Sequence, residues 1–289
     1  MKLFFKQLFI FIAILSLYCG SMFVINLHYI KVPPKPIAKK NILIVGDSHA
    51  KQGIDPALMP SAYNIALDAQ PYCITYWTLQ KVLKNYGCDT LVIAISYNNF
   101  SAVNDKKFID KEWSDEMFDR MYTLVKVDSL KGMEFDREEY YHTIFRNMLL
   151  YPKKHPIKYI GKYTPNKRNV ITDYERVIQR HYYYDGKLTG VSKNAIKYLN
   201  LIIGLCKQSN ITPILVVTPL HQFYRQRIPA LFVRNLDSLS NSFSKQNVTV
   251  LNFSATPFSD KEFLNSDHLN TMGATRFTRM LDSVLFSKK

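Results

Sequence analysis

Cysteine is scarce in this sequence, with four in 289 residues. Cys19 lies inside an apolar run, and Cys73, Cys88 and Cys206 allow one bridge at most and match no zinc spacing, which excludes a disulfide framework and a zinc-ribbon fold. All three read as buried thiols. Only ten glycines are present, and none forms a phosphate-cradling loop or a dinucleotide fingerprint. No His/Cys/Asp/Glu run has metal-ligand spacing, so neither a cofactor nor a metal is expected. Internal repeats and low-complexity tracts are also missing, and 47% hydrophobic with 21% charged residues is the balance of a folding globular chain.

Charge is missing from one place in particular. Between Lys6 and Lys31 there is no Lys, Arg, Asp or Glu, and Leu8 to Ile25 is long enough to cross a bilayer as a helix. Residues 1–30 therefore read as an uncleaved membrane anchor. A cleaved signal peptide is the competing reading, but the small-residue pattern is poor and the apolar run passes beyond the one plausible site near Ser21. Cys19 suits a lipoprotein acceptor badly, because bulky Tyr18 precedes it. Lysines flank both ends of the run, so the positive-inside count does not choose an orientation. Residues 31–40, with Pro33, Pro34 and Pro36 among lysines, cannot extend a helix and read as a stiff tether, leaving 41–289 as the body.

The net charge of +15 is unevenly spread. Arg146 to Lys193 holds eleven Lys or Arg against three Asp or Glu, interleaved with tyrosines, whereas Asp105 to Glu139 holds eleven carboxylates against seven basic residues. The acidic run reads as a solvated helical face. The basic, tyrosine-rich run reads either as such a face or as a surface for an anionic polymer or lipid headgroup. Net charge alone would also suit nucleic acid, but that explains neither the apolar segment nor the clusters below, and no nucleic-acid partner is expected.

Short apolar runs at Asn41–Val45, Tyr63–Ala66, Thr90–Ser96, Thr212–Thr218 and Val248–Phe253 read as buried strands. Helical spacing marks Pro71–Tyr86, Ser192–Ser209, Ile228–Ser244 and a last helix capped by Thr271 and running to Leu285. Alternating strands and helices predict an α/β fold, a three-layer sandwich with a central parallel sheet covered on both faces. Residues 101–191 break the alternation and read as a mostly helical insertion beside the site.

Three polar clusters fall at carboxyl ends of the predicted strands, where ligands bind in such sheets: Gly46-Asp47-Ser48-His49, Ser96-Tyr97-Asn98-Asn99 and Asn265-Ser266-Asp267-His268. A serine nucleophile needs a base to take its proton and donors to hold the oxyanion. Ser48 on its glycine-containing turn, His268 before the terminal helix and Asn98 as donor supply those parts. His49, Tyr97 and His221 are candidate substrate contacts, set against structural roles as a hydrogen-bonding histidine for His49 and as loop packing for Pro219–His221.

On Gly46-Asp47-Ser48 and on Asp267-His268-Leu269-Asn270 with Gly273, the chain resembles the SGNH, or GDSL-like, hydrolase superfamily over most of 41–289 outside the insertion. It is similar in style to anchored bacterial proteins of alginate O-acetylation and to the D-alanyl transfer protein of teichoic acids. The resemblance implies a flavodoxin-like sheet, Ser48 as nucleophile, His268 as base, and an oxyanion hole from Ser48, Ala69 and Asn98, with Asn64 opening the second block. It departs at Asn265, where the family places the Asp that orients the histidine, so the orienter is Asn265 or the neighbouring Asp267. Ala69 stands where the family has Gly, and Ser96 and Asn99 where it has Gly and Asp.

The resulting expectation is an extracytoplasmic, periplasmic esterase or O-acyltransferase acting on acyl esters of a cell-envelope polysaccharide or glycoconjugate. Its expected partners are that glycan, the membrane through the N-terminal helix, and a membrane-bound acyltransferase. The alternative is a catalytically inactive SGNH-fold component that binds glycan or scaffolds such an acylation system, which the missing Asp and Gly residues favour.

Overall fold

The structure, a computed structural model, describes residues 1–31, 41–152 and 158–286. The tether expected at 31–40 lies, from residue 32 onward, outside the described residues. The chain divides into two units, one of Met1–Pro36 with Lys107–Lys158 and one of Ile37–Lys106 with Tyr159–Lys289. The first begins with α1 (Lys2–Lys31), in which Lys2–Ile30 is long and apolar enough to cross a membrane.

The second unit opens with β1 (Ile42–Val45), four consecutive buried apolar residues as expected for a strand covered on both faces. In chain order there follow α2 (Ser48–Gly53), β2 (Ala62–Asn64), α3 (Tyr72–Val82), β3 (Thr90–Ile95) and the short α4 (Val103–Lys106). The chain then enters α5 (Ser114–Met121) and α6 (Arg137–Phe145) of the first unit. It returns with α7 (Tyr174–Tyr182), the hairpin β4 (Tyr183–Tyr184) and β5 (Lys187–Leu188), α8 (Lys193–Gln208), β6 (Thr212–Val217), α9 (Gln222–Arg225), α10 (Ala230–Lys245), β7 (Thr249–Asn252) and α11 (Thr271–Phe286).

The main sheet has five strands in the order β2-β1-β3-β6-β7, every pairing parallel. Alternate strand residues point to opposite faces. Ile42, Ile44, Val92, Ala94 and Val216 share one face with Ala50 of α2, Ile54 just after it, and Phe277 and Leu281 of α11. Leu43, Leu91, Ile93 and Leu215 point the other way. There α8 packs on β6 and on α3, Trp77 meeting Tyr198 edge-on at 5.4 Å. Each fully buried Leu, Ile or Phe contributes about 1.5–3 kcal/mol, so these two layers supply most of what holds the sheet between its helices. This is the expected three-layer α/β sandwich.

One local expectation is corrected. Thr271 does not cap α11: Asn270 does, its Oδ1 accepting from Met272 N (2.9 Å) and Gly273 N (3.1 Å), while the Thr271 hydroxyl donates to Asn166 O at 3.0 Å. The 101–191 stretch is not uniform. Its ends do meet, with Ala102 N bonded to Gly190 O (3.0 Å) and Ser192 N to Phe100 O (2.8 Å). Only Lys107–Lys158 belongs to the first unit, however, because residues from Tyr159 are tied to the sheet unit by Gly161 N to Ile65 O (3.1 Å), Thr164 N to Lys51 O (3.0 Å) and Val170 N to Leu264 O (2.8 Å). At Gly161 a Cβ would stand 1.9 Å from Ala66 O, so no other residue permits this approach.

In the first unit α5 packs on α6 around Phe118, which meets Tyr140 edge-on at 5.4 Å. Met117, Phe118 and Met121 are fully buried there.

Candidate active site

Adjacent strands β1 and β3 run in register, Val45 opposite Ile93, and each ends in one of the polar clusters. After Val45 the chain turns at Gly46, φ +144°, a conformation closed to side chains; a Cβ there would meet the Ala94 Cβ at 2.9 Å. That turn lets Asp47 cap α2, its Oδ1 accepting from His49 N at 2.9 Å, and puts Ser48 at the first position of the helix, half-buried. The second Asp47 oxygen accepts from Asn99 Nδ2 at 2.6 Å, and Asn99 Oδ1 in turn accepts from Tyr72 OH (3.0 Å) and Ser96 N (2.9 Å). Asn99, standing where the resembled family has Asp, thereby locks the ends of β1 and β3 together. An Asp there would face Asp47 with a second anion.

His268 arrives from the other end of the chain on the segment before α11, held by Leu264 N bonded to His268 O at 2.8 Å. Its Nε2 lies 2.7 Å from Ser48 Oγ, across 220 residues of sequence. Its Nδ1 lies 3.0 Å from Asn265 Oδ1, which also accepts from His268 N at 2.8 Å. Asp267 Oδ1 is equally near, 3.0 Å from Nδ1, but off the line of the N–H, so it acts on the ring through its charge. The two candidate orienters are thus both in place. An acceptor at Asn265 Oδ1 suits the tautomer with Nδ1–H, which leaves Nε2 able to take a proton, and the Asp267 carboxylate lies where it would stabilise an imidazolium.

Asp267 is fully buried among three histidines. Its Oδ2 lies 3.8 Å from His49 Nε2 and 3.7 Å from His181 Nε2. Burial opposes its ionisation, but the attraction of His268, His181 and His49 outweighs this and holds the carboxyl well below the usual range. Asp47 is held low in the same way, burial being overcome by His49 and by the Asn99 amide. Burial presses the His49 pKa down, yet Asp47, 3.0 Å from its Nδ1, and Asp267 raise it above the ordinary value. His181 goes the other way: burial pushes it down to about 3, with Asp267 opposing and Arg180, His49 and His268 assisting. A neutral His181 bonds Tyr224 OH at 2.8 Å, and Tyr224 lies 3.1 Å from the Tyr182 hydroxyl.

Among the described residues, His49, Asp267 and His268 are also the one group close enough to hold a metal ion. With His268 Nε2 facing Ser48 and Nδ1 facing Asn265, an ion there would have to displace one of those contacts.

The oxyanion candidates sit at the same sheet end. Ala69 follows β2 with φ +53°, the left-handed region where glycine is at ease, so this alanine carries backbone strain that the family's glycine would not. Asn98 lies on the turn after β3, its Oδ1 accepting from Ser96 Oγ at 2.5 Å. Asn64 is buried, its amide donating to Ala50 O (2.9 Å) and Ile54 O (2.8 Å), which closes the end of α2.

The three candidate substrate contacts are placed otherwise. His49 stacks behind His268 and is 3% exposed. His221 is also buried and caps α9, with Nε2 3.1 Å from Asp260 Oδ1 and Nδ1 accepting from Phe223 N at 3.3 Å. The buried Tyr97 bonds Ser254 Oγ at 3.1 Å. Tyr97 and His221 have their polar atoms engaged within the protein, whereas His49 bonds Asp47 through Nδ1 and its buried Nε2 has no hydrogen-bond partner among the described residues.

Sequence reasoning passed over His181 and Tyr224. A signal for His181 existed: Val177, Ile178, His181 and Tyr182 fall at helical spacing, which places the histidine on the inward face of α7.

No family model matches the chain, and no curated protein matches it. Among solved structures it is similar to a GDSL-like lipase of Bacteroides thetaiotaomicron, at 10% identity and TM-score 0.42, covering 91% of this chain and 95% of that one. It is also similar to a family two carbohydrate esterase of Clostridium thermocellum, at 12% identity and TM-score 0.39, covering 88% and 65%. A third is a psychrotrophic esterase of a Pseudoalteromonas species, at 11% identity and TM-score 0.37, covering 85% and 97%. With likeness this distant, the reading of function is carried by the geometry of the site.

Proposed function

We propose that this chain is a serine esterase or O-acyltransferase of the SGNH type, with Ser48 as nucleophile and His268 as general base. The observation that carries the proposal is the 2.7 Å contact between Ser48 Oγ and His268 Nε2, with Nδ1 held by Asn265 and faced by the Asp267 carboxylate. Ser48 Oγ attacks the acyl carbonyl carbon as its proton passes to His268 Nε2. The tetrahedral oxyanion is held by the N–H groups of Ser48 and Ala69 and by the Asn98 amide. Collapse expels the alcohol oxygen, which takes the proton back from Nε2 and leaves an acyl-serine. Water or a sugar hydroxyl, deprotonated by the same nitrogen, then releases the acyl group, so hydrolase and transferase differ only in that acceptor.

The apolar α1 supports work at a membrane, with the sheet unit outside the cytoplasm, and exposed lysines of that unit such as Lys162, Lys167 and Lys187 suit an acidic cell-envelope glycan as substrate. The test is labelling by a fluorophosphonate probe. The native protein is expected to label and Ser48→Ala to stay unlabelled. Labelling that persists in Ser48→Ala removes the serine from its role, and a native protein that neither labels nor turns over simple acyl esters is instead a silent binding component.

A further inference from the structure

Within the first unit, α1 is bound to the end of another helix. The chain leaves α6 through a π-helical turn, Arg146–Leu150, and the carbonyls at such an end have no partner within the helix. Here α1 provides the donors. Asn26 Nδ2 donates to Met148 O (3.1 Å) and Tyr151 O (2.6 Å), and Tyr18 OH donates to Leu150 O (2.5 Å). Tyr18 and Asn26 stand eight residues apart, on the same side of α1. Asn26 is 1% exposed, whereas Leu17 and Val24 on other sides of the same turns are 72% and 66% exposed. An amide in an apolar span is unfavourable unless paired, and here each side satisfies the other's unpaired groups.

The helix end so held also presents aromatic side chains outward. Tyr141 and Phe145 form an i, i+4 stripe, 53% and 47% exposed, and Tyr151 follows at 58%, while Tyr140 faces inward against Phe118 at 2% exposed. Tyrosine and phenylalanine beside a span are the side chains that settle at the boundary between lipid headgroups and acyl chains.

We infer that α1 is retained in the working protein and that Tyr141–Tyr151, clamped to it by Asn26 and Tyr18, is a second membrane contact that dips into the lipid interface beside the span. The segment adjoins α1 at Leu150 and Tyr151, whose carbonyls Tyr18 and Asn26 bind, and α1 itself exposes apolar side chains such as Leu17 and Val24, which makes a bilayer the occupant. This inference stands apart from the proposed chemistry at Ser48.

The test uses the full chain in vesicles of phosphatidylcholine and phosphatidylglycerol doped with a phosphatidylcholine that carries a photoactivatable diazirine on one acyl chain, with adducts mapped by mass spectrometry. Adducts are expected on the peptide spanning Tyr141–Tyr151 as well as on α1. In Asn26→Leu the adducts on Tyr141–Tyr151 should be lost while those on α1 remain. Adducts confined to α1 in the native chain, a mature chain cut before Asn26, or an Asn26→Leu pattern identical to native would each overturn the inference. Should Asn26→Leu fail to fold, the native chain alone decides.

Discussion

His49 and His268 lie face to face, ring centroids 4.6 Å apart and planes 27° from parallel, and each addresses a different oxygen of the buried Asp267 carboxylate. In the proposed mechanism His268 takes the Ser48 proton, and its positive charge forms against a ring whose own pKa is raised by Asp47 and Asp267. Asp47 and Asp267 flank the stacked pair with two carboxylates, whose attraction favours positive charge on either ring. Asp267 is therefore the centre of the electrostatics here, even though Asn265 makes the better-aligned hydrogen bond.

Asp267→Asn should consequently be severe. In a serine protease the equivalent loss costs about 10⁴ in turnover, and a fall on the order of 10³–10⁴ is expected here in steady-state ester hydrolysis. Asn265→Asp should change turnover little, because the ring already faces a carboxylate and a second one adds repulsion. A large gain in Asn265→Asp with a mild Asp267→Asn would reverse the assignment.

The oxyanion proposal makes a separate demand. Asn98→Ala removes a side-chain donor and should lower turnover by about 10²–10³, with a smaller effect on KM. Ala69→Gly keeps the N–H and relieves the left-handed strain at φ +53°, so turnover should persist and stability should hold or rise slightly. A collapse of activity in Ala69→Gly would show that the methyl group itself is needed.

Stability should depend on His181 between about pH 4 and 6.5, and the sign follows from the direction of each shift. A histidine held down at about 3 stays neutral in the fold while its unfolded counterpart charges near 6.5, so its stabilisation is complete above 6.5 and is lost as pH falls. The loss between pH 7 and 5 should come to about 2 kcal/mol. Asp47 and Asp267, both depressed, keep their contributions until the pH drops below about 4, and His49, raised, keeps its contribution throughout the region below 6.5. Denaturant unfolding at pH 5 and pH 7 should show that loss in the native protein and a flatter response in His181→Gln. Parallel curves for the two proteins would contradict it.

Gly273→Ala should destabilise the fold. A Cβ at this position would stand 2.1 Å from Glu262 O and 2.9 Å from Leu269 Cδ2, so the start of α11 must move away from the segment that carries His268. A cost of about 1–3 kcal/mol, seen as a lower Tm, is expected together with reduced probe labelling. An unchanged Tm would mean that the helix start tolerates the shift.

The sheet was legible in the sequence because its strands are continuous apolar runs such as Ile42–Val45 and Thr90–Ile95, ended by glycine or polar residues, with helices of clear spacing between them. Ser48 and His268 were legible for a related reason: in a parallel sheet the strand order carries both to the same edge, however far apart they stand in the chain. What happens around Asp267 was not legible. The sequence left the orienter open between Asn265 and Asp267, and only the fold of this turn brings an Asp267 oxygen to 3.0 Å from the ring while Asn265 also faces it. His49 and His181 come to the same carboxylate from α2 and α7, so no spacing records their meeting. The division of the basic, tyrosine-rich stretch at Lys158 was equally hidden, since it depends on backbone bonds such as Gly161 N to Ile65 O rather than on composition. Local pattern determines which segments become strands and helices, because burial and hydrogen bonding act along the chain. Which side chains share a charge is decided by packing between distant segments, and only the tertiary structure contains it.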